Sequence, residues 1–194
     1  MLGGFFRTML VPVVGLLVPL WAADVSSPTR IDTDRSVLTI HVYKTGLFSA
    51  FGHNHEISAP IQSGAFSETP PEVELSVDAR KLRVLDTDVS DKDRGQIQAT
   101  MLGPQVLDSE KFPEIHFQSK QVERVGEDKW VLRGDLALHG QTRPVEVKVE
   151  RQSGRYFGNV ELKQRDFGIA PVSVAGGSVK VKNEVRIEFQ IVGR

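Results

Sequence analysis

His53 and His55 are the residues whose type and spacing most invite chemistry. Two apart on a strand, their imidazoles project to one side, the side that also carries Ile57. Such a pair can give two ligands to zinc, but a site needs a third and usually a fourth. His41 and His139 are the available additions, and neither is fixed to the same side by spacing. The pair can equally clamp the polar head of a bound molecule, or form a hydrogen-bonded cluster at the end of a sheet. No metal site is therefore assigned, and a His-dependent metal or redox accessory role is kept as the alternative function. His53 and His55 are carried forward as ligand-contact candidates.

Catalytic constellations are missing from the rest of the chain. There is no cysteine, which removes thiol chemistry, disulfides and thiolate metal sites. No Gly-x-Ser-x-Gly elbow, phosphate loop, His-Glu-x-x-His or dinucleotide fingerprint occurs. His139-Gly140 reads as a hairpin turn, with Gly140 supplying unusual backbone angles and His139 satisfying turn groups. Arg143-Pro144 reads as a turn with a solvated charge. Asp166 reads as a carboxylate ordering its own turn before Phe167-Gly168, with Arg165-Asp166 free to pair with each other's neighbours or with Arg94. The acids between Asp86 and Arg94 fit a helix start. The expectation is a protein that is not an enzyme and holds no cofactor. A net charge of −1, with no basic patch interleaved with aromatics, argues against nucleic acid.

The elements that must position these residues alternate with period two. Before them, Arg7 and the apolar run Met9 to Trp21, followed by Ala22-Ala23, read as a secretory signal over residues 1–23. Pro12 and Pro19 interrupt that run, which is shorter than a spanning helix needs. An uncleaved anchor is the alternative. The expected location is periplasmic or secreted, with the domain over residues 29–194. Strands are predicted over 36–44, 53–66, 72–80, 115–122, 130–139, 145–149, 155–165 and 179–192. Pro60 marks an edge, bulge or bend in the second, and Gly176-Gly177 marks a turn before the last. One helix is predicted after Ser90, which can cap it, with Asp91 and Asp93 in its first turn and Gly103-Pro104 at its stop.

Eight strands joined mostly by short turns are antiparallel neighbours, and apolar-in, polar-out strands must close into a barrel or stack as two sheets. The residue pattern leaves those two architectures open. The chain, however, resembles the YceI-like family of bacterial lipid-binding proteins. The resemblance is carried by Ile31-Asp32 and Ser36 to His41, by Gly64-Ala65-Phe66, by Ser109 to Ser119, by Val131 to Val145, by Arg165-Asp-Phe-Gly168 and by Val181 to Glu188. Two stretches depart from the usual form. Asp93-Arg94 stands in reversed order, and Phe51-Gly-His-Asn-His-Glu56 follows a Gly-His-x-His branch. The resemblance implies an all-β, eight-stranded, antiparallel, lipocalin-like barrel with one short helical insertion. It also implies an isoprenoid or similar amphiphile along the interior.

An eight-stranded barrel is wide enough either to fill itself or to hold one small ligand. Ala59, Gly134 and Gly158 among larger inner residues leave room for a guest. Burying a tail of roughly fifteen to twenty carbons offers about 12–16 kcal/mol gross. The ligand contacts expected are Phe48, Phe51, Ile57, Ala59, Leu75, Val77, Ile97, Met101, Phe117, Leu136, Leu138, Val160 and Phe167, with His53 and His55. Each could instead be ordinary core packing. The expected partner is an amphiphilic lipid, isoprenoid or quinone-like molecule. Transient membrane contact and a homodimer stay open.

Overall fold

The computed structural model describes residues 27–45, 54–174 and 179–194. The leader over 1–23, Phe48, Phe51, His53 and the Gly176-Gly177 turn lie outside the described residues.

Among the described residues twelve strands form one antiparallel sheet. They are β1 (Thr29–Arg30), β2 (Val37–Thr45), β3 (His55–Ser58), β4 (Ile61–Glu68), β5 (Pro71–Asp78), β6 (Arg83–Val84), β7 (Glu114–Gly126), β8 (Lys129–Leu138), β9 (Gln141–Gln152), β10 (Arg155–Lys163), β11 (Ser173–Val174) and β12 (Val179–Ile191). The expected count of eight therefore needs correction. Eight strands have eight residues or more, and four short ones are added. The strand predicted over 53–66 is two strands. Ala59-Pro60 breaks it, so that β3 pairs with β2 whereas β4 turns away to pair with β5. Proline cannot donate to a ladder, and the break falls where it sits.

The neighbour order is β1-β4-β5-β7-β8-β9-β10-β12-β2-β3-β6, with β11 beside β12. The sheet curls until its first segment reaches β12. Ile31 forms a bridge to Gly193, and its N–H donates to Gly64 O at 2.9 Å. Arg194 N–H donates to Arg30 O, also at 2.9 Å. Ile31 is 2% exposed, so an apolar plug seals this seam.

The turn expected at His139-Gly140 forms, whereas the one expected at Arg143-Pro144 does not. Strand β9 begins at Gln141, and Pro144 lies within it opposite Asp135. Strand β10 pairs with β9 only from Lys148 onward. Pro144 thus sits on a stretch with no second neighbour, where proline is tolerated. His139 and Gly140 make the turn, at φ of 50° and 70°.

Two bulges decide which residues face inward. The β4–β5 register shifts between Ile61 and Ser63, and the β7–β8 register shifts between Ser119 and Gln121. An extra residue reverses the side to which all following side chains point. Beyond the first bulge Phe66 and Glu68 face inward, and beyond the second Val122 does so.

Helix α1 (Asp91–Leu102) crosses one end of the curled sheet. As expected, Ser90 caps it by accepting from Asp93 N–H, and Gly103 ends it. Gln98 fastens it to β6, accepting from Val84 N–H at 2.9 Å and donating to Leu82 O at 2.8 Å. The turn from β5 into β6 is held by Asp78, which accepts from Arg80 N and from its guanidinium. That guanidinium keeps the Asp78 carboxyl below the usual carboxylate range.

Gly158 occupies a position that only hydrogen fits. A Cβ there would lie 2.4 Å from Lys148 O and 2.4 Å from the Phe189 ring. Gly158→Ala should therefore cost about 1–3 kcal/mol and lower Tm by roughly 3–10 °C. Gly95→Ala, where nothing lies within 4 Å, should leave Tm unchanged or raise it slightly. Thermal denaturation of the two variants beside the parent protein checks both.

Candidate functional site: an apolar cavity inside the curled sheet

The inner face of the sheet encloses a cavity of about 280 Å³. From β2 it takes Leu38, Ile40 and Val42, and from β5 it takes Val73, Leu75 and Val77. Strand β8 gives Trp130, Leu132, Leu136 and Leu138, and β9 gives Val145, Val147 and Val149. Strand β12 gives Val185, Ile187, Phe189 and Ile191. These are the inward members of the alternations, as period two requires.

Many of them remain half-buried although they point inward. Leu38, Ile40, Val42, Leu75, Phe117, Leu136, Leu138, Val160 and Ile187 are all in this state. In a lumen filled by its own side chains such residues would lose nearly all their exposure. Their residual surface faces the void.

Ten of the expected ligand contacts line the cavity: Ile57, Ala59, Leu75, Val77, Met101, Phe117, Leu136, Leu138, Val160 and Phe167. Ile97 does not. It packs against the core from one side as a half-buried residue of α1. His55 does not line the cavity either, and Phe48, Phe51 and His53 lie outside the described residues.

The inner glycines play a different part from the one expected. A Cβ on Gly134 would lie 2.8 Å from the Phe117 ring, and one on Gly158 would strike the Phe189 ring. The room these glycines leave is taken by rings from adjacent strands. Both rings also line the cavity, so the glycines let large apolar surfaces lie against the wall.

The two ends of the cavity differ. At the α1 end it is bounded by Leu82, Met101, Leu107, Phe167 and Ile169, all buried. At the other end it reaches Ser67, Glu68, Pro71, Trp130 and Tyr156, of which Glu68 and Pro71 are exposed. Glu68 is the one charged residue in the lining among the described residues. Tyr156 O–H donates to Glu68 Oε1 at 2.7 Å, and Arg151 Nη1 donates to the same oxygen at 3.0 Å. Arg151 also donates through Nε and Nη2 to Asp128 Oδ1, at 2.9 and 2.6 Å. Its guanidinium lies 5.6 Å from the Trp130 ring centroid. Phe66 meets Tyr156 edge-on at 4.9 Å.

His55 belongs to another arrangement. Its Nδ1–H donates to Asp86 Oδ2 at 2.6 Å, and Glu56 N–H donates to Asp86 Oδ1 at 2.8 Å. Arg94 Nη1 donates to Asp86 O. The Asp86 side chain is 1% exposed, so it is not part of a solvated acidic helix start. It is the buried acceptor that ties β3 to the approach of α1. Among the described residues no three His, Cys, Asp or Glu side chains group as metal ligands. His41 points to Glu188 at 3.6 Å, and His139 Nδ1–H donates to Phe167 O at 3.0 Å. Of the two partners open to Arg165-Asp166, sequence neighbours or Arg94, Arg94 is not used. Arg94 pairs with Asp91, and Asp166 uses its backbone oxygen to accept from Arg143 Nε at 2.8 Å. Arg143 is exposed, as expected of a solvated charge, and it also ties the hairpin to the Phe167 turn.

Sequence comparison fits this geometry. A model of the YceI-like domain matches residues 30–193. The chain belongs to the YceI-like domain family. A UPF0312 protein of Vibrio cholerae is 29% identical over 140 residues, covering 64% of this chain and 68% of the relative. A UPF0312 protein of Shewanella sp. (strain W3-18-1) is 25% identical over 166 residues, covering 80% of this chain and 83% of the relative. Among solved structures, Burkholderia cenocepacia BcnA superposes with a TM-score of 0.63 at 16% identity, covering 83% of this chain and 98% of that one. A mutant Campylobacter jejuni YceI protein gives 0.51 at 14% identity, covering 71% and 81%. These neighbours support the YceI-like fold, an all-β curled antiparallel sheet with one helix.

The tyrosine at the open end gives a pH test. Burial first, and the Glu68 carboxylate second, push the Tyr156 phenol above its ordinary value near 10. Below pH 10 the phenol is protonated in both folded and unfolded chains, and its contribution is fully present. As pH climbs from 10 through the raised folded value, the unfolded chain ionises first and stability falls. The chain has two tyrosines, so Tyr43→Phe leaves Tyr156 alone. Its ultraviolet titration should centre above pH 10, and urea denaturation should give a midpoint that declines across the same interval. A midpoint at the ordinary value would mean that the Tyr156–Glu68 contact is not kept in solution.

Proposed function

We propose that this protein is an exported, non-catalytic binding or carrier protein that holds a long apolar amphiphile, such as a polyisoprenoid, a quinone-like molecule or a fatty lipid, inside its curled sheet. One observation carries the reading: inward-facing Leu, Ile, Val and Phe side chains keep exposed surface around an internal void, and the lining is apolar almost throughout. A void of that chemistry is poorly hydrated and gains by accepting a hydrocarbon chain. Each methylene moved into it contributes about 0.8 kcal/mol. A tail of ten or more such groups offsets a large part of the cost of association, estimated at about 4–15 kcal/mol.

Periplasmic or secreted placement rests on the basic start, short apolar run and small residues over 1–23. For the His-dependent alternative, the His55 Nδ1 bond to buried Asp86 leaves Nε2 as a ligand atom, but among the described residues no three His, Cys, Asp or Glu side chains group around it.

The test is extraction of the natively purified protein with organic solvent, followed by mass spectrometry. A stoichiometric apolar molecule is expected, together with uptake of N-phenyl-1-naphthylamine by extracted protein. Leu136→Trp, which adds volume to the lining, should cut that uptake at least tenfold while leaving the far-ultraviolet circular dichroism unchanged. Empty protein that also ignores the dye would end this reading.

A further inference from the structure

The open end of the cavity carries a polar arrangement that the apolar lining does not explain. Glu68 ends β4 on the inward face, beside Ser67 and across from Tyr156 of β10. Both donors that reach it, Tyr156 O–H and Arg151 Nη1, converge on Oε1. Oε2 takes no hydrogen bond among the described residues.

The nearby cations are placed differently. Arg151 spends Nε and Nη2 on Asp128 and Nη1 on Glu68, and it is not part of the cavity wall. Arg124 lies with its guanidinium 6.0 Å from the Trp130 ring centroid and gives Nε to Gly126 O, and it too is outside the lining. The charges of Glu68, Asp128, Arg151 and Arg124 cancel, but the one that meets the cavity is negative. The tyrosine keeps its proton and already donates its O–H in a hydrogen bond to the carboxylate.

The geometry points to Glu68, with Ser67 and the Tyr156 oxygen, as the head-group site for a ligand whose head is a neutral hydrogen-bond donor or a cation, an alcohol or amine in place of a phosphate or carboxylate. A hydroxyl or ammonium entering beside Glu68 would donate to Oε2. A phosphate there would set its charge against the Glu68 carboxylate, the one charged group of the lining among the described residues. Glu68 is about half exposed, with a side-chain accessibility of 48%, so water screens the effect and the discrimination is moderate. The apolar tail would run from this end towards Met101 and Phe167, where the buried residues of the α1 end close the cavity.

This inference rests on the apolar-carrier reading, and its test keeps the two apart. Geranylgeraniol, geranylgeranylamine and geranylgeranyl phosphate share one tail and differ in the head. Each is titrated against extracted full-length protein loaded with N-phenyl-1-naphthylamine, at low and at 0.5 M salt. The alcohol and the amine are expected to displace the dye at concentrations on the order of tenfold lower than the phosphate. Glu68→Gln should bring the phosphate and the amine within about twofold of each other. Tyr156→Phe, which removes a competing donor from Glu68, should widen the gap. A merely structural role would shift all three ligands together in both variants, and that result overturns the assignment. So does a phosphate that binds as well as the alcohol, while leaving the carrier reading intact. Failure of all three ligands to displace the dye sinks the carrier reading and the head-group site with it.

Discussion

Every feature of this fold depends on how one apolar sheet face is satisfied. Strands that alternate apolar and polar residues must hide one side from water, and a stacked second sheet is the usual answer. Here the sheet curls over its own apolar face instead. Ile31 and Gly193 draw the first segment to β12, and α1 covers one end. Curling hides the face from bulk water without filling the space between opposite walls. The cost is apolar surface that finds no protein partner and loses dispersion contacts with it. Glycines limit the crowding. Gly134 and Gly158 accept the rings of Phe117 and Phe189 over their backbones, so these large side chains lie against the wall.

Much of this was legible from residue order. Seven of the predicted alternations each overlap one strand, and the one over 53–66 spans β3 and β4, because solvent on one side and a dry interior on the other impose period two directly. The helix was marked by Ser90 and Gly103 for equally local reasons. What period two could not show were its own interruptions. The bulge between Ile61 and Ser63 reverses the facing of the rest of β4. Counting alternately from His53 puts Phe66 and Glu68 outside, when both face in. Glu68 was therefore missed as a site residue, although a carboxylate opposite an apolar wall is the unusual feature of that strand. Asp86 was missed for a different reason. Among many acids before a helix, nothing local distinguishes the one that a histidine thirty-one residues away will bury.

The two ends of the cavity are built from different physics. At the α1 end, polar side chains act as fasteners behind an apolar seal. Asp86 holds His55 and Glu56, Gln98 holds both sides of β6, and Asp78 holds the turn between β5 and β6. The Asp86 and Gln98 bonds join separate segments and the Asp78 bonds close a local turn, and in each a lost partner would leave a buried polar group unsatisfied. At the opposite end the aromatic and charged residues Phe66, Trp130, Tyr156, Arg151 and Glu68 sit around the rim, partly wet. Exposed pairs of this kind add little to stability. Their arrangement matters more for what can pass them.

This asymmetry favours one direction of entry. Opening the α1 end would require breaking buried hydrogen bonds and separating the buried side chains of Leu82, Met101 and Phe167. Opening the other end asks only that half-exposed side chains move, and an exposed ion pair is cheap to part. A ligand entering there tail first would bury its methylenes progressively, each gaining before the polar head reaches the rim. The head then stops where the lining ceases to be apolar, at Ser67 and Glu68. Affinity comes from the length of wall that the tail covers, and orientation comes from the carboxylate at its end. A molecule that is apolar at both ends could fill the same void, but it would gain nothing from Glu68 and have no preferred direction.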